Sequence, residues 1–99
     1  MSNPIHNTLW SLCASEAGTL TVRQHGILAK LRYHSNGLII SKLAAELSLL
    51  KAPVGRAVER LEMLGLVSKH PDQNDQRVAW VRLTSSGTKF CKKFYGDAL

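Results

Sequence analysis

Lys51, Arg56 and Arg60 fall within one short segment, KAPVGRAVER, and Arg77 ends the polar run PDQNDQR two residues after Asp75. Ammonium and guanidinium groups bind oxyanions: the first as a point charge, the second as a planar fork that also matches the O6/N7 edge of guanine. Other chemistries lack their parts. His6, His25, His34 and His70 form no His-x3-His pair and there is no Cys-x2-Cys, so a zinc site is not expected. Asp72 and Asp75 flank a turn without the pocket and acid partner of a catalytic pair. Ser, His and Asp residues are present, but no nucleophile elbow and no glycine-rich phosphate loop accompanies them. The expectation is no enzyme, no cofactor and no metal.

The balance of charge agrees with anion binding. Net charge is +6 and the pI is near 9.8, which predicts attraction to polyanions without choosing among them. At 99 residues the chain has room for one domain, 1–99, with one modest core. With 44% hydrophobic and 20% charged residues it reads as an ordinary globular chain. No apolar run approaches the roughly 20 residues of a membrane span. The N-terminus, MSNPIHNTLW, has no basic segment ahead of an apolar stretch. A cytoplasmic location is therefore expected, with Cys13 and Cys91 as free thiols.

Something must position the cations. Ile5, Leu9, Leu12 and Cys13 share one helical face between Pro4 and about Glu16, where Cys13 reads as a small inert hydrophobe. Thr21-Val22-Arg23-Gln24 reads as a capping box opening a helix to about His34, with Ile27, Leu28 and Leu31 inward. Ser35-Asn36-Gly37 is a turn, and Leu38-Ile39-Ile40 can donate a short strand. Ser41 is a candidate N-cap for a short helix, Lys42 to Leu47. After the turn Ser48-Leu49-Leu50, the apolar period of Val54, Ala57, Val58 and Leu61 marks another helix. Pro53 lies in its first turn and Gly65 just past its end. Leu66 to Lys69 and Val78 to Leu83 read as strands around the polar tip. Thr84 can cap a last helix, Ser85 to about Tyr95, with Phe90, Cys91 and Phe94 on one side.

The order α-α-β-α-α-β-β-α is mostly helical with a small β-sheet. Two short helices joined by a tight turn over about 41–64, then a hairpin over about 66–83, are the parts of a winged helix-turn-helix. In that arrangement the first helix crosses the DNA backbone and the turn presents the second to the major groove.

The chain also resembles the MarR family of bacterial transcription regulators. The resemblance runs through Leu20-Thr21-x-x-Gln24-x-x-Ile27-Leu28, Leu43-Ala44, Val54-x-Arg56 and Leu61-Glu62-x-x-Gly65-Leu66-Val67. It continues through Asp75-x-Arg77 and Leu83-Thr84-x-x-Gly87. It covers roughly residues 20–90, and its most specific part is the wing. It implies a dimeric, nucleoid-associated regulator of double-stranded DNA, with helix 51–64 in the major groove and Arg77 in the minor groove. A guanidinium at a hairpin tip suits a narrow, negative groove, and Asp75 is placed to pair with Arg77 or a neighbour and hold the tip.

Sorting the helix by angle puts Ala52, Arg56, Glu59 and Met63 opposite the apolar face, with Gly55 and Arg60 on the flanks. Arg56 suits a base edge; Lys51 and Arg60 suit phosphates. Glu59 can accept from cytosine N4 or pair with Arg56 or Arg60. The family usually starts this helix with Ser or Thr and polar residues, whereas Leu50, Ala52, Pro53 and Gly55 offer bases few side-chain hydrogen bonds. Ala52 or Pro53 can touch a thymine methyl, and Gly55 allows close backbone approach. Some relatives sense oxidants through an N-terminal cysteine, which brings Cys13 into question. A homodimer through Trp10, Phe90, Phe94 and Tyr95 is expected, against the alternative that these rings close the monomer's own core. Two other functions use the same fold: a module docking on another regulatory protein, and an architectural DNA binder of low specificity.

Overall fold

A computed structural model describes residues 20–96. Its elements are α1 (Val22–Leu31), β1 (Leu38–Ile39), α2 (Ile40–Leu47), α3 (Lys51–Met63), β2 (Val67–Pro71), β3 (Ala79–Leu83) and α4 (Ser85–Tyr95). The helix expected over 4–16, with Trp10 and Cys13, lies outside the described residues. The remaining elements follow the expected order.

Local chemistry accounts for most helix ends. Thr21 Oγ1 accepts from the Gln24 amide at 3.0 Å while Gln24 Oε1 accepts from the Thr21 amide at 2.8 Å, so the capping box forms. At the end of α3, the Gly65 amide donates to Glu62 O and the Leu66 amide to Leu61 O, both at 3.0 Å. Gly65 takes φ +78° to allow this. The same pair of bonds ends α2: Ser48 to Ala45 O at 3.2 Å and Leu49 to Ala44 O at 2.8 Å. There the left-handed residue is Ser48, with φ 56°. Thr84 accepts from the Gly87 amide at 3.0 Å to cap α4, and its hydroxyl donates to Gly65 O at 2.6 Å.

Several boundaries differ from expectation. α1 ends at Leu31 rather than about His34, with Arg32 as its C-cap. The expected strand 38–40 stops at Ile39, and Ser41 is the second residue of α2, not its cap. The cap is Ile39, extended at φ −77°, ψ 157° and without a side-chain hydrogen bond. The reason is tertiary. Leu38 and Ile39 pair with Val81 and Trp80, so the chain leaves the ladder directly into the helix, upstream of the serine. The hairpin strands likewise start one residue later than read, at Val67 and Ala79.

The sheet is antiparallel with order β1-β3-β2, and Val67 to Pro71 face Leu83 to Ala79 in register. Two backbone approaches tighten it. Gly37, at φ +88°, leaves 2.4 Å between an added Cβ and Val81 O. Gly87 sets α4 on the α3–β2 junction, where a Cβ would stand 2.0 Å from Leu66 O.

The core gathers Ile27, Leu28 and Leu31 of α1, Leu43 of α2, and Val54, Val58 and Leu61 of α3. Val67, Val81, Phe90 and Cys91 join it from the sheet and the last helix, each large side chain worth about 1.5–3 kcal/mol of burial. Of the rings expected at a homodimer interface, Phe90 is buried in the monomer's own core and Tyr95 packs against that core, whereas Phe94 is 36% exposed. The Tyr95 hydroxyl meets His25 Nδ1 at 2.5 Å. Arg32 donates to the carbonyls of Tyr95 and Gly96 and lies over the Tyr33 and Tyr95 rings. Burial pushes the Tyr95 hydroxyl up to about 12 and raises the Cys91 thiol. No helix of the described residues is long and apolar enough to cross a membrane.

Candidate nucleic-acid interface

The α3 register follows from its apolar period. With Val54, Ala57, Val58 and Leu61 buried, Lys51, Ala52, Arg56, Glu59, Arg60 and Met63 are exposed, and Pro53 and Gly55 are partly exposed. Lys51, Arg56 and Glu59 form no side-chain hydrogen bond or ion pair among the described residues. Glu59 therefore does not neutralise Arg56 here, one of the two roles read for it from sequence. Pro53 stands in the first turn, where its missing N–H costs no helical bond. The N-cap is Leu50, which supplies no side-chain hydrogen bond and is 78% exposed.

The wing tip is built differently. Asp72 Oδ2 accepts from the amides of Asn74 at 3.0 Å and Asp75 at 3.2 Å, an Asx turn. Its Oδ1 accepts from Trp80 Nε1 at 2.8 Å. The indole bond, then the Asn74 amide, hold the Asp72 carboxyl below the usual carboxylate range. Asp75 Oδ1 accepts from the Arg77 amide at 3.0 Å and Nε at 3.1 Å, and Oδ2 from an Nη at 3.3 Å. The Arg77 guanidinium lowers the Asp75 carboxyl in turn. This two-point grip fixes the direction of the guanidinium and leaves donors to spare. The Arg77 side chain is 91% exposed.

These two parts are neighbours. Lys51 and Arg77 line one crevice of about 230 Å³ with Ile39, Ile40, Ser41, Val78 and Ala79. The start of α3 and the wing tip thus share one outward surface, while Arg56 lies further along the helix. Two supports escaped sequence reading. Asp72 holds the tip through Trp80, and Arg82 Nε donates to Asn36 O at 3.0 Å, tying the wing base to the α1–β1 loop. The register offered a signal for the first: Trp80 faces His70, two residues from Asp72. Among the described residues, no group of His, Cys, Asp and Glu side chains could hold a metal ion. His25 is engaged with Tyr95 and stacked near Phe90.

The MarR family model matches residues 20–79. The uncharacterized HTH-type transcriptional regulator YybA of Bacillus subtilis is 31% identical over 70 residues, 71% of this chain and 46% of YybA. The chain spans about half the length of that relative. Staphylococcus aureus MepR, solved in complex with DNA, aligns at TM-score 0.73 and 27% identity over 81% of this chain and 59% of MepR. Lactococcus lactis ZitR aligns at TM-score 0.66 and 28% identity, over 77% of this chain and 51% of ZitR. Winged-helix architecture, the Asp-x-Arg wing and a family match over most of the folded part converge: the chain belongs to the MarR family.

Proposed function

We propose that this protein is a transcription regulator that binds double-stranded DNA, with α3 in the major groove and Arg77 of the wing in the adjacent minor groove. The observation that carries it is the shared crevice of Lys51 and Arg77. It puts a cation at the start of the presented helix beside a guanidinium held at a hairpin tip. Arg56, exposed on the same helix, takes a base edge, most favourably guanine. Lys51 and Arg60 take phosphates, Ala52, Pro53 and Gly55 lie against the groove floor, and Asp75 positions Arg77. Family membership and the MepR–DNA complex support this reading. A homodimer is part of it, since a two-fold pair of α3 helices would address a palindromic site.

Sequence selection from a random duplex pool at near-physiological salt tests it, followed by titrations of single variants. Arg77→Ala should weaken binding to all duplexes and reduce the salt slope by about one. Arg56→Ala should also relax the preference at one position, a loss of about 1–3 kcal/mol of discrimination. Both variants matching wild type would remove the site assignment. One observation favours docking on another regulatory protein: Met63, at the far end of α3, is 78% exposed. Salt separates the two, because DNA binding weakens steeply with ionic strength and an apolar interface hardly changes.

A further inference from the structure

Two residues at the start of α3 run against helix stability without an internal reason. Leu50 occupies the N-cap, a position where Ser, Thr, Asp or Asn would bond the first-turn amides and leucine cannot. Its side chain is 78% exposed and is not among those packed on the core. Gly55 sits inside the helix, where glycine is unfavourable relative to alanine, yet a Cβ there would meet nothing within 4 Å. Neither residue is explained by the fold's own packing. Both belong to the end of α3 that also carries exposed Ala52, with Lys51 and Arg56 as its cations.

We propose that Leu50 and Ala52 read the C5-methyl groups of thymine, with the glycine at 55 admitting the groove floor close to the helix. The inference rests on the DNA-binding reading above and specifies what that interface recognises. The occupant is set by chemistry. Flanking cations draw in a polyanion, and the major groove of a duplex offers one apolar group on its base edges, the thymine methyl. Amide and hydroxyl donors, which would read other edges, are missing from this turn; its side chains are Leu50, Lys51, Ala52 and Pro53. The half-site should therefore hold thymine next to the base contacted by Arg56.

The test uses the full chain and the duplex enriched from the random pool. Each thymine is replaced in turn by deoxyuridine, which removes the methyl and keeps every hydrogen-bonding group. One or two replacements should each weaken wild-type binding roughly fourfold, the effect of about 0.8 kcal/mol per buried carbon. Leu50→Ser, a better N-cap, should raise the melting temperature, bind the thymine duplex more weakly and lose the penalty for deoxyuridine at one position. The rise in melting temperature separates lost recognition from lost folding. Equal affinity for thymine and deoxyuridine duplexes at every position, or a pool with no thymine enrichment, would overturn the proposal and leave DNA binding intact. Failure to bind any duplex would overturn both.

Discussion

The wing tip and the first turn of α3 line the same crevice, yet they are built on opposite principles. At the tip, Asp72 and Asp75 accept six hydrogen bonds between them, from backbone amides, the Trp80 indole and the Arg77 guanidinium. At the helix start, the cap makes no side-chain bond, and Lys51 and Arg56 extend without partners among the described residues. The difference follows from what each backbone supplies. A hairpin loop has no repeating hydrogen bonds of its own, so side chains must fix the direction of its arginine. A helix is already rigid, and its outer side chains need only be presented. Direction is built into the wing; contact chemistry is left open on the helix.

The largest expected effect concerns the base of the wing. Gly87→Ala would drive a methyl into the backbone oxygen of Leu66, at the junction that launches β2. A loss of about 2–4 kcal/mol is expected in urea unfolding; an unchanged midpoint would mean that α4 does not hold the wing's root. Next comes the tip. Asp72→Ala should speed amide exchange at Asn74 and Asp75 well beyond any change in α3, because it deletes the Asx turn and the indole bond together. Acid should do the same. Both carboxyls titrate below their ordinary value of 3.8 in the fold, so their stabilisation is complete above that value. It is lost as pH falls through the lowered values. Trp80 fluorescence should therefore report a loosened tip only below pH 3.8, as the lowered carboxyls take up protons, and ahead of any loss of helical circular dichroism. A simultaneous loss would erase the contrast between the two regions. The smallest effect is a gain: Gly55→Ala should stabilise the protein by about 0.5–1 kcal/mol, read from its thermal midpoint, since its Cβ has open space.

Some of this was readable residue by residue. The capping box at Thr21 and Gln24, the left-handed Gly65, the Thr84 cap and the buried face of α3 all depend on partners within about four positions, and each forms as its sequence signal requires. The exposure of Arg56 followed from the same helical period. Ser41 misled because its capping signal was sound but the β1–β3 pairing had already placed the boundary at Ile39. Phe94 and Tyr95 are adjacent on the rim of an apolar face, and periodicity alone could not rank them. His25 and Arg32, 70 and 63 residues away from Tyr95, drew it inward.

The amino-acid order by itself determined the type and succession of the helices and strands, which faces are apolar, and that a cationic helix precedes a hairpin tipped with Asp-x-Arg. Those features are governed by bonds and steric limits that act over a turn or less. Tertiary structure decided that Lys51 and Arg77 share a crevice, that Trp80 braces Asp72, and that Tyr95 closes on α1. Each of these joins residues brought together by sheet register and core packing, interactions whose partners have no fixed spacing along the chain.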